Sequence, residues 1–478
     1  MSAQRRAHGL LGPLAALALA CAGGAAHNRA APSLPQPGDP AGRPAVVLLI
    51  SVAGLTSPAY RVDAARPTAM PTLAALAKAG AAADAVESVA PAATYPAHAS
   101  LVSGRVPAEH GIIADRLLGD HGVRDALYWH ASHLRAPTLW QLAHEARLPV
   151  ASLAWPSTVG ASIALLLPDL VPTRRGETWL GVLEDSTTPS VLEFARRAGG
   201  AAEAADRVGP ARDAVLAEVA CRILSEPRPP SLLLLRLSQT RPVLAAHGPD
   251  SPEAFAAFGA ADREIAGLLD CLGSASRLDA ATLFVVGDHG TLPLYTLLSP
   301  NAVLAREGLL TPAEGDEGEV ATWSAIARSN GGSTFVYAQS ESHAVRARRA
   351  LAAAAERTRG FRVVPAAEML ALGADPGAWF GLEAEPGFAF DDAARGALIQ
   401  PAAQRGAWGY LPARPEMNAG FVAWGAGIRS GVRIPLMRQT DVAPTVAVLL
   451  GLSLEGAEGR PLVGALSPAL ARAAGRPR

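Results

Sequence analysis

Four near-continuous apolar runs constrain the fold of this chain most: "AVVLLISV" (45–52), "PVASLAW" (149–155), "SLLLLRL" (231–237) and "ATLFVVG" (281–287). A strand that is apolar at successive positions hides both of its faces, as central strands of a parallel sheet do. Helical stretches lie between the runs. "PTLAALAKAG" has Pro71 in its first turn and Gly80 at its end, and "APTLWQLAHEARL" and the segments around Cys221 and Cys271 also read as helices. This alternation predicts an α/β fold, a doubly wound and mainly parallel sheet with helices on both faces. From about 325 to 400 the texture changes to strand–helix–strand, "GGSTFVYAQ", "AVRARRALAAAAERT" and "RVVPAAEML", which predicts a small α+β insertion. There is no internal repeat.

The first residues follow a different logic. Arg5 and Arg6 precede an apolar stretch from Leu10 to Ala20 that is too short to span a bilayer, the pattern of an export signal. "ALAC" resembles a bacterial lipobox, so a lipid on Cys21 is the favoured reading and simple cleavage the other. Residues 1–21 are then a signal peptide, 22–44 a Pro-rich flexible linker, 45–465 the folded domain and 466–478 a C-terminal tail. The expected location is outside the cytoplasm, in the periplasm or tethered to a membrane of a bacterial envelope, with membrane contact only through the lipid. Cys221 and Cys271 admit two readings, a disulfide or two small buried hydrophobes, and the second is favoured.

The charges of the 478 residues nearly cancel, at a formal net −1, so there is no electrostatic signature of nucleic-acid binding. Neither a Gly-x-Ser-x-Gly nucleophile elbow nor a Walker-type phosphate loop occurs.

Chemistry is concentrated where the fold would place a ligand, beyond the carboxyl ends of the strands. The run 281–287 ends in "DHG", which sets Asp288 and His289 side by side as two potential metal ligands. In "APAATYPAHASLVSGRVPAEHGIIAD" Thr94 opens a helix, where a hydroxyl beside a metal could act as a nucleophile and where a plain helix cap is the simpler role.

Taken in order, "TYPAHASLVSGRVPAEHGI", "APTLW" with "LAWPS", "GPDS", "DHG" and "GYLPARPEMNAGFVAWGAGIRSGV" resemble the nucleotide pyrophosphatase/phosphodiesterase branch of the alkaline phosphatase superfamily. The resemblance runs from about Pro44 to Pro461. It implies an alkaline-phosphatase-like fold and hydrolysis of phosphate esters by two zinc ions and a threonine or serine nucleophile. Carried over residue by residue, it makes Thr94 the nucleophile position and Asp288 and His289 two ligands of the metal beside it. The third ligand of that metal is an aspartate in the family, and here the position is Ala53. The second metal takes an aspartate, a histidine four residues on and a later histidine, and these positions hold Arg241, Ala245 and Trp408. An asparagine that helps hold the phosphoryl oxygen is replaced by Asp115.

Catalytic zinc takes three protein ligands and an open position. The resemblance therefore implies no bound metal, or one weakly held divalent ion, and lost or crippled catalysis: a pseudoenzyme with a binding or scaffold role of unknown partner. The alternative is an impaired phosphoester hydrolase that uses Thr94 on a small phosphoester. His247, two residues from the lost ligand, is read as a surface histidine, and no histidine after His343 can replace the C-terminal ligand. For Arg241 two roles stand: a fixed cation for a phosphate or carboxylate, or a salt bridge to Asp288, the second being favoured.

Overall fold

A computed structural model describes residues 43–62, 67–119, 122–198, 209–314 and 319–474. The expected signal peptide, the lipidation site at Cys21 and nearly all of the linker lie outside the described residues. Among the described residues no helix is long and apolar enough to cross a membrane.

The centre is an eight-stranded sheet in the order Val432–Ile434, Ala81–Ala83, Phe421–Gly425, Ala281–Gly287, Val46–Val52, Leu232–Leu237, Val150–Leu153, Leu165–Leu167. The last five run parallel, and Phe421–Gly425 pairs antiparallel with Ala281–Gly287. All residues of Val46–Val52, Leu232–Leu237 and Ala281–Gly287 are buried, which accounts for their near-continuous apolar character. Side chains of a strand alternate between faces. One face takes Leu48, Ile50, Leu235 and Val285 into a layer with the helices Pro71–Ala79, Pro210–Ser225 and Pro252–Ser274. The other takes Val47, Leu49, Leu234, Phe284 and Val286 into a layer with Thr94–Ser103 and Val442–Leu450. Leu466 and Leu470 are buried in this second layer and Pro468–Ala474 is helical, so packing continues into the stretch expected as a tail from 466.

Residues Ala325–Ala384 build a separate four-stranded antiparallel sheet covered by the helix Glu341–Thr358. Beside it, Leu292–Leu298 pairs with Gly387–Phe390, Ile399–Pro401 and the short strand Gly406–Ala407.

Two long-range links tie the first layer together. Pro71–Ala79 has no capping side chain of its own, because Met70 precedes it. The buried Asp262 of the helix Pro252–Ser274 reaches across instead, and its two oxygens accept the Thr72 and Leu73 N–H groups at 2.9 Å each. Replacing Asp262 with Ala leaves two helix-start amides unpaired and is expected to cost about 2–3 kcal/mol, read as a lower urea midpoint at unchanged slope. The second link is a disulfide between Cys221 and Cys271, with Cα atoms 5.7 Å apart. This corrects the favoured reading of two unpaired hydrophobes. Helical periodicity puts each cysteine on its helix, but the facing of the two helices is a tertiary matter.

Candidate functional site

The strands Val46–Val52 and Ala281–Gly287 are parallel neighbours, with Val52 opposite Gly287, so their carboxyl ends open at the same level. Gly287 is required there, since a Cβ would lie 2.0 Å from the Leu55 carbonyl oxygen. The first strand turns through Ala53 and Gly54, the latter at φ +68, a conformation open to glycine at little cost. The Gly54 N–H donates to Asp288 Oδ1 at 2.8 Å, and the His289 N–H donates to the same oxygen at 3.0 Å.

Thr94 is the first residue of the helix Thr94–Ser103, and the cap position before it is Ala93. The cap role expected for Thr94 is therefore corrected. Its hydroxyl instead points at the strand end, 3.3 Å from Asp288 Oδ2 and 3.4 Å from His289 Nε2. His289 donates Nδ1–H to the Gly290 carbonyl at 2.9 Å, which leaves Nε2 facing Thr94. The three groups are closed off from solvent, with Thr94 and Asp288 at 0% exposure and His289 at 2%. Burial works to raise the Asp288 carboxyl, but the His289 and His98 rings, the Gly54 N–H and Arg236 outweigh it and hold it down at about 2.

The other expected positions gather on the near side of this cluster. Asp213 accepts the Ser238 and Gln239 N–H groups at 2.6 and 2.8 Å and pins the turn into the helix Thr240–His247. Thr240 donates its hydroxyl to the Ala53 carbonyl, and Leu244 of the same helix packs directly over Gly54. Ala245 contributes only its carbonyl, which accepts the Arg405 N–H at 2.7 Å. Trp408 follows the strand Gly406–Ala407, which pairs with Pro293 and Leu292 just beyond His289. That register brings the indole onto the imidazole, stacked at 5.5 Å between centroids and 18° between planes. The Arg241 guanidinium lies over the same indole, 5.0 Å from its centroid.

Arg241 does not pair with Asp288, which corrects the favoured role. Its Nη2 is 3.4 Å from Asp115 Oδ2, and Asp115 Oδ1 accepts the Tyr95 N–H at 2.8 Å. Asp115 thus brings its own carboxylate to the start of the helix Thr94–Ser103, where exposed amides favour an anion. His247 is half exposed at the end of its helix, 3.9 Å from Glu253, and takes no part.

The donor set does not fit a two-metal centre. Asp288, His289 and Thr94 stand together, whereas Ala53 and Ala245 have no side-chain donor, Trp408 offers an indole, and Arg241 adds positive charge. Among the described residues no three His, Cys, Asp or Glu side chains cluster as a metal site.

Sequence reasoning missed a charged group behind the site. Asp169 accepts from Arg212 at 2.6 Å, from Arg236 at 2.8 Å and from the Tyr95 hydroxyl at 3.1 Å, all of them buried. The one signal available was Arg236 itself, a lone charge inside "SLLLLRL".

Compared with known proteins, residues 47–372 match the family model described as type I phosphodiesterase / nucleotide pyrophosphatase. Among solved structures, human ectonucleotide pyrophosphatase/phosphodiesterase 5 superposes with a TM-score of 0.63 at 18% identity, over 87% of this chain and 97% of that one. An inactive variant of the murine protein in complex with AMP gives a TM-score of 0.64 at 18% identity, over 88% of this chain and 100% of that one. At such identity the likeness is one of fold. None of the curated protein sequences matches the chain.

Proposed function

We propose, from the premise that this chain belongs to the type I phosphodiesterase/nucleotide pyrophosphatase family, that it is an exported member which has given up two-metal phosphoester hydrolysis for a binding or scaffold role. The observation that carries this reading is the engagement of Arg241 and Trp408. Two positions that would hold ligands of the second metal instead hold a guanidinium paired with Asp115 and an indole stacked on His289. Leu244 over Gly54 fills further space at the same place. A guanidinium repels a metal ion by its charge, and an indole and a leucine side chain offer it no lone pair to coordinate. The disulfide supports export, because such bonds persist in oxidising compartments.

One arrangement favours the alternative, a slow hydrolase. Thr94 Oγ1 has His289 Nε2 at 3.4 Å and Asp288 Oδ2 at 3.3 Å, so a hydroxyl stands beside an imidazole that Gly290 orients. Against it, Thr94 has no exposed surface from which to reach a phosphorus atom. Loss of one electrostatic stabiliser costs ~10²–10³ in rate, and here several positions are changed together.

The deciding measurement is metal content after loading the purified protein with zinc or manganese and dialysing it exhaustively, alongside a screen of phosphodiesters and AMP. The expected result is a metal content near zero, unchanged by Asp288→Ala, and no turnover that depends on Thr94. One tightly held ion lost in Asp288→Ala, or hydrolysis abolished by Thr94→Ala, overturns the proposal.

A further inference from the structure

The Trp408 indole covers His289, and its position is set by two parts of the fold that lie outside the central sheet. The residues before it are held by the helix that carries Arg241. The Arg405 N–H donates to the Ala245 carbonyl at 2.7 Å, and a Cβ on Gly406 would lie 2.2 Å from the Leu244 carbonyl oxygen. The residues after it are held by the insertion. Between the strands Ala325–Ser329 and Ser333–Ala338 the chain turns through Asn330, Gly331 and Gly332, and this turn fits around Trp408, Gly409 and Tyr410.

The fit leaves no slack. The Gly332 N–H donates to the Trp408 carbonyl at 2.7 Å, and the Ser333 hydroxyl donates to the Gly409 carbonyl at 2.6 Å. The Tyr410 ring rests on Gly332, where a Cβ would be 2.1 Å from it. A Cβ on Gly331 would be 2.4 Å from the Trp408 carbonyl oxygen, and one on Gly409 would be 1.6 Å from the Asn330 carbonyl oxygen. Close approach of one backbone to another is what glycine permits and other residues prevent.

The turn is tied in its own right to the body of the insertion. Its Gly331 and Gly332 carbonyls accept the Phe390 and Ala384 N–H groups at 2.7 and 2.9 Å, and the Tyr410 hydroxyl donates to the Phe388 carbonyl at 2.6 Å. On the opposite side, the Gly409 N–H donates to the Ala92 carbonyl at 2.8 Å, and the Ala92 N–H donates to the Tyr410 carbonyl at 3.1 Å. Ala92 stands two residues before Thr94. Residues 408–410 therefore bridge the insertion and the start of the helix Thr94–Ser103, and the bridge bears the indole that stacks on His289.

We infer that the turn Asn330–Gly332 of the insertion seats the Trp408 indole over His289, so that the insertion keeps the site closed. Gly332 and Ser333 are positioning residues in this assignment, which rests on the proposed replacement of the second metal by Arg241 and Trp408. A shift of the insertion against the central sheet would carry the indole with it and bare Thr94 and His289. The insertion thereby acquires a role in the site although none of its residues touches Thr94, Asp288 or His289 by hydrogen bond.

The test follows the reaction of His289 with diethyl pyrocarbonate, read by peptide mass spectrometry on the whole protein in a chelator, well below its melting temperature. Wild type is expected to label slowly, since His289 is 2% exposed, and Trp408→Ala to label fast. Gly332→Ala drives a Cβ into the Tyr410 ring and is expected to raise the labelling rate at least ~10-fold over wild type. Ser333→Ala removes one hydrogen bond from the seat and is expected to act in the same direction by a smaller factor. It decides the matter where Gly332→Ala does not fold. Leu351→Ala is the control: it empties a buried position on the helix Glu341–Thr358, in the same insertion, and should lower Tm without changing His289 labelling. Unchanged labelling in the folded seat variants, an equal rise in Leu351→Ala, or a Trp408→Ala rate equal to that of wild type overturns the inference. Zinc retained by the wild-type protein counts against the lost metal centre, and labelling in chelator reports on the turn separately.

Discussion

On the proposed loss of the metal centre, Ala53→Asp is expected to restore binding of about one zinc ion per molecule. Ala53 follows the strand Val46–Val52 and is 1% exposed. Continued alternation places its Cβ on the face of Ser51 and Asp288, and the next residue, Gly54, is bonded to Asp288 through its N–H. A carboxylate at this position would join Asp288 and His289 as a third protein ligand, with the Thr94 hydroxyl beside them. Three ligands and an open position are what zinc takes in catalytic sites. Without metal, the same substitution sets a second buried carboxylate next to Asp288, and like charges at such range disfavour ionisation of both. The variant should therefore melt below wild type in a chelator and regain stability with zinc. At a free zinc concentration of about 100 times the dissociation constant the gain is about 2.7 kcal/mol. Metal analysis and melting curves with and without zinc read both effects. A variant that neither binds zinc nor responds to it would mean that position 53 is not a lost ligand position.

Reduction of the Cys221–Cys271 bond is expected to be the most damaging mild treatment of the wild-type protein. The bond joins the helices Pro210–Ser225 and Pro252–Ser274 across a sequence separation of 50 residues. Chain entropy over a loop of that length corresponds to about 4 kcal/mol of stabilisation. The loop it closes contains the strand Leu232–Leu237 and the helix Thr240–His247, and with them Arg236 and Arg241. Loosening it should therefore affect the site and not only the periphery. Wild-type protein should melt several degrees lower with a thiol reductant than without. The Cys221→Ser/Cys271→Ser variant should melt at the reduced temperature under both conditions. Equal melting of oxidised and reduced wild type would show that the helices hold their places without the bond.

Much of the architecture was legible in residue order alone. The runs around Leu48, Leu234 and Val285 announce strands buried on both faces, because a strand repeats every two residues and these are apolar on both. The helix with Pro71 at its start and Gly80 at its end is equally local, since both residues act through their own backbone angles. Asp288 and His289 at a strand end, and Thr94 at a helix start, follow from the same local periods, and the order of the motifs points to the family.

Other features had no local trace. Thr94 could have capped its helix, and Arg241 could have reached Asp288. Its actual partner, Asp115, is 126 residues away, and the indole it covers comes from another sheet. The pairing of Cys221 with Cys271, and of Arg212 and Arg236 with Asp169, joins segments 43 to 67 residues apart. Backbone period determines which elements form and which face each residue takes, and sequence carries that directly. The choice of partner depends on which charges and donors are stripped of water together when distant elements meet, and only the tertiary structure decides that.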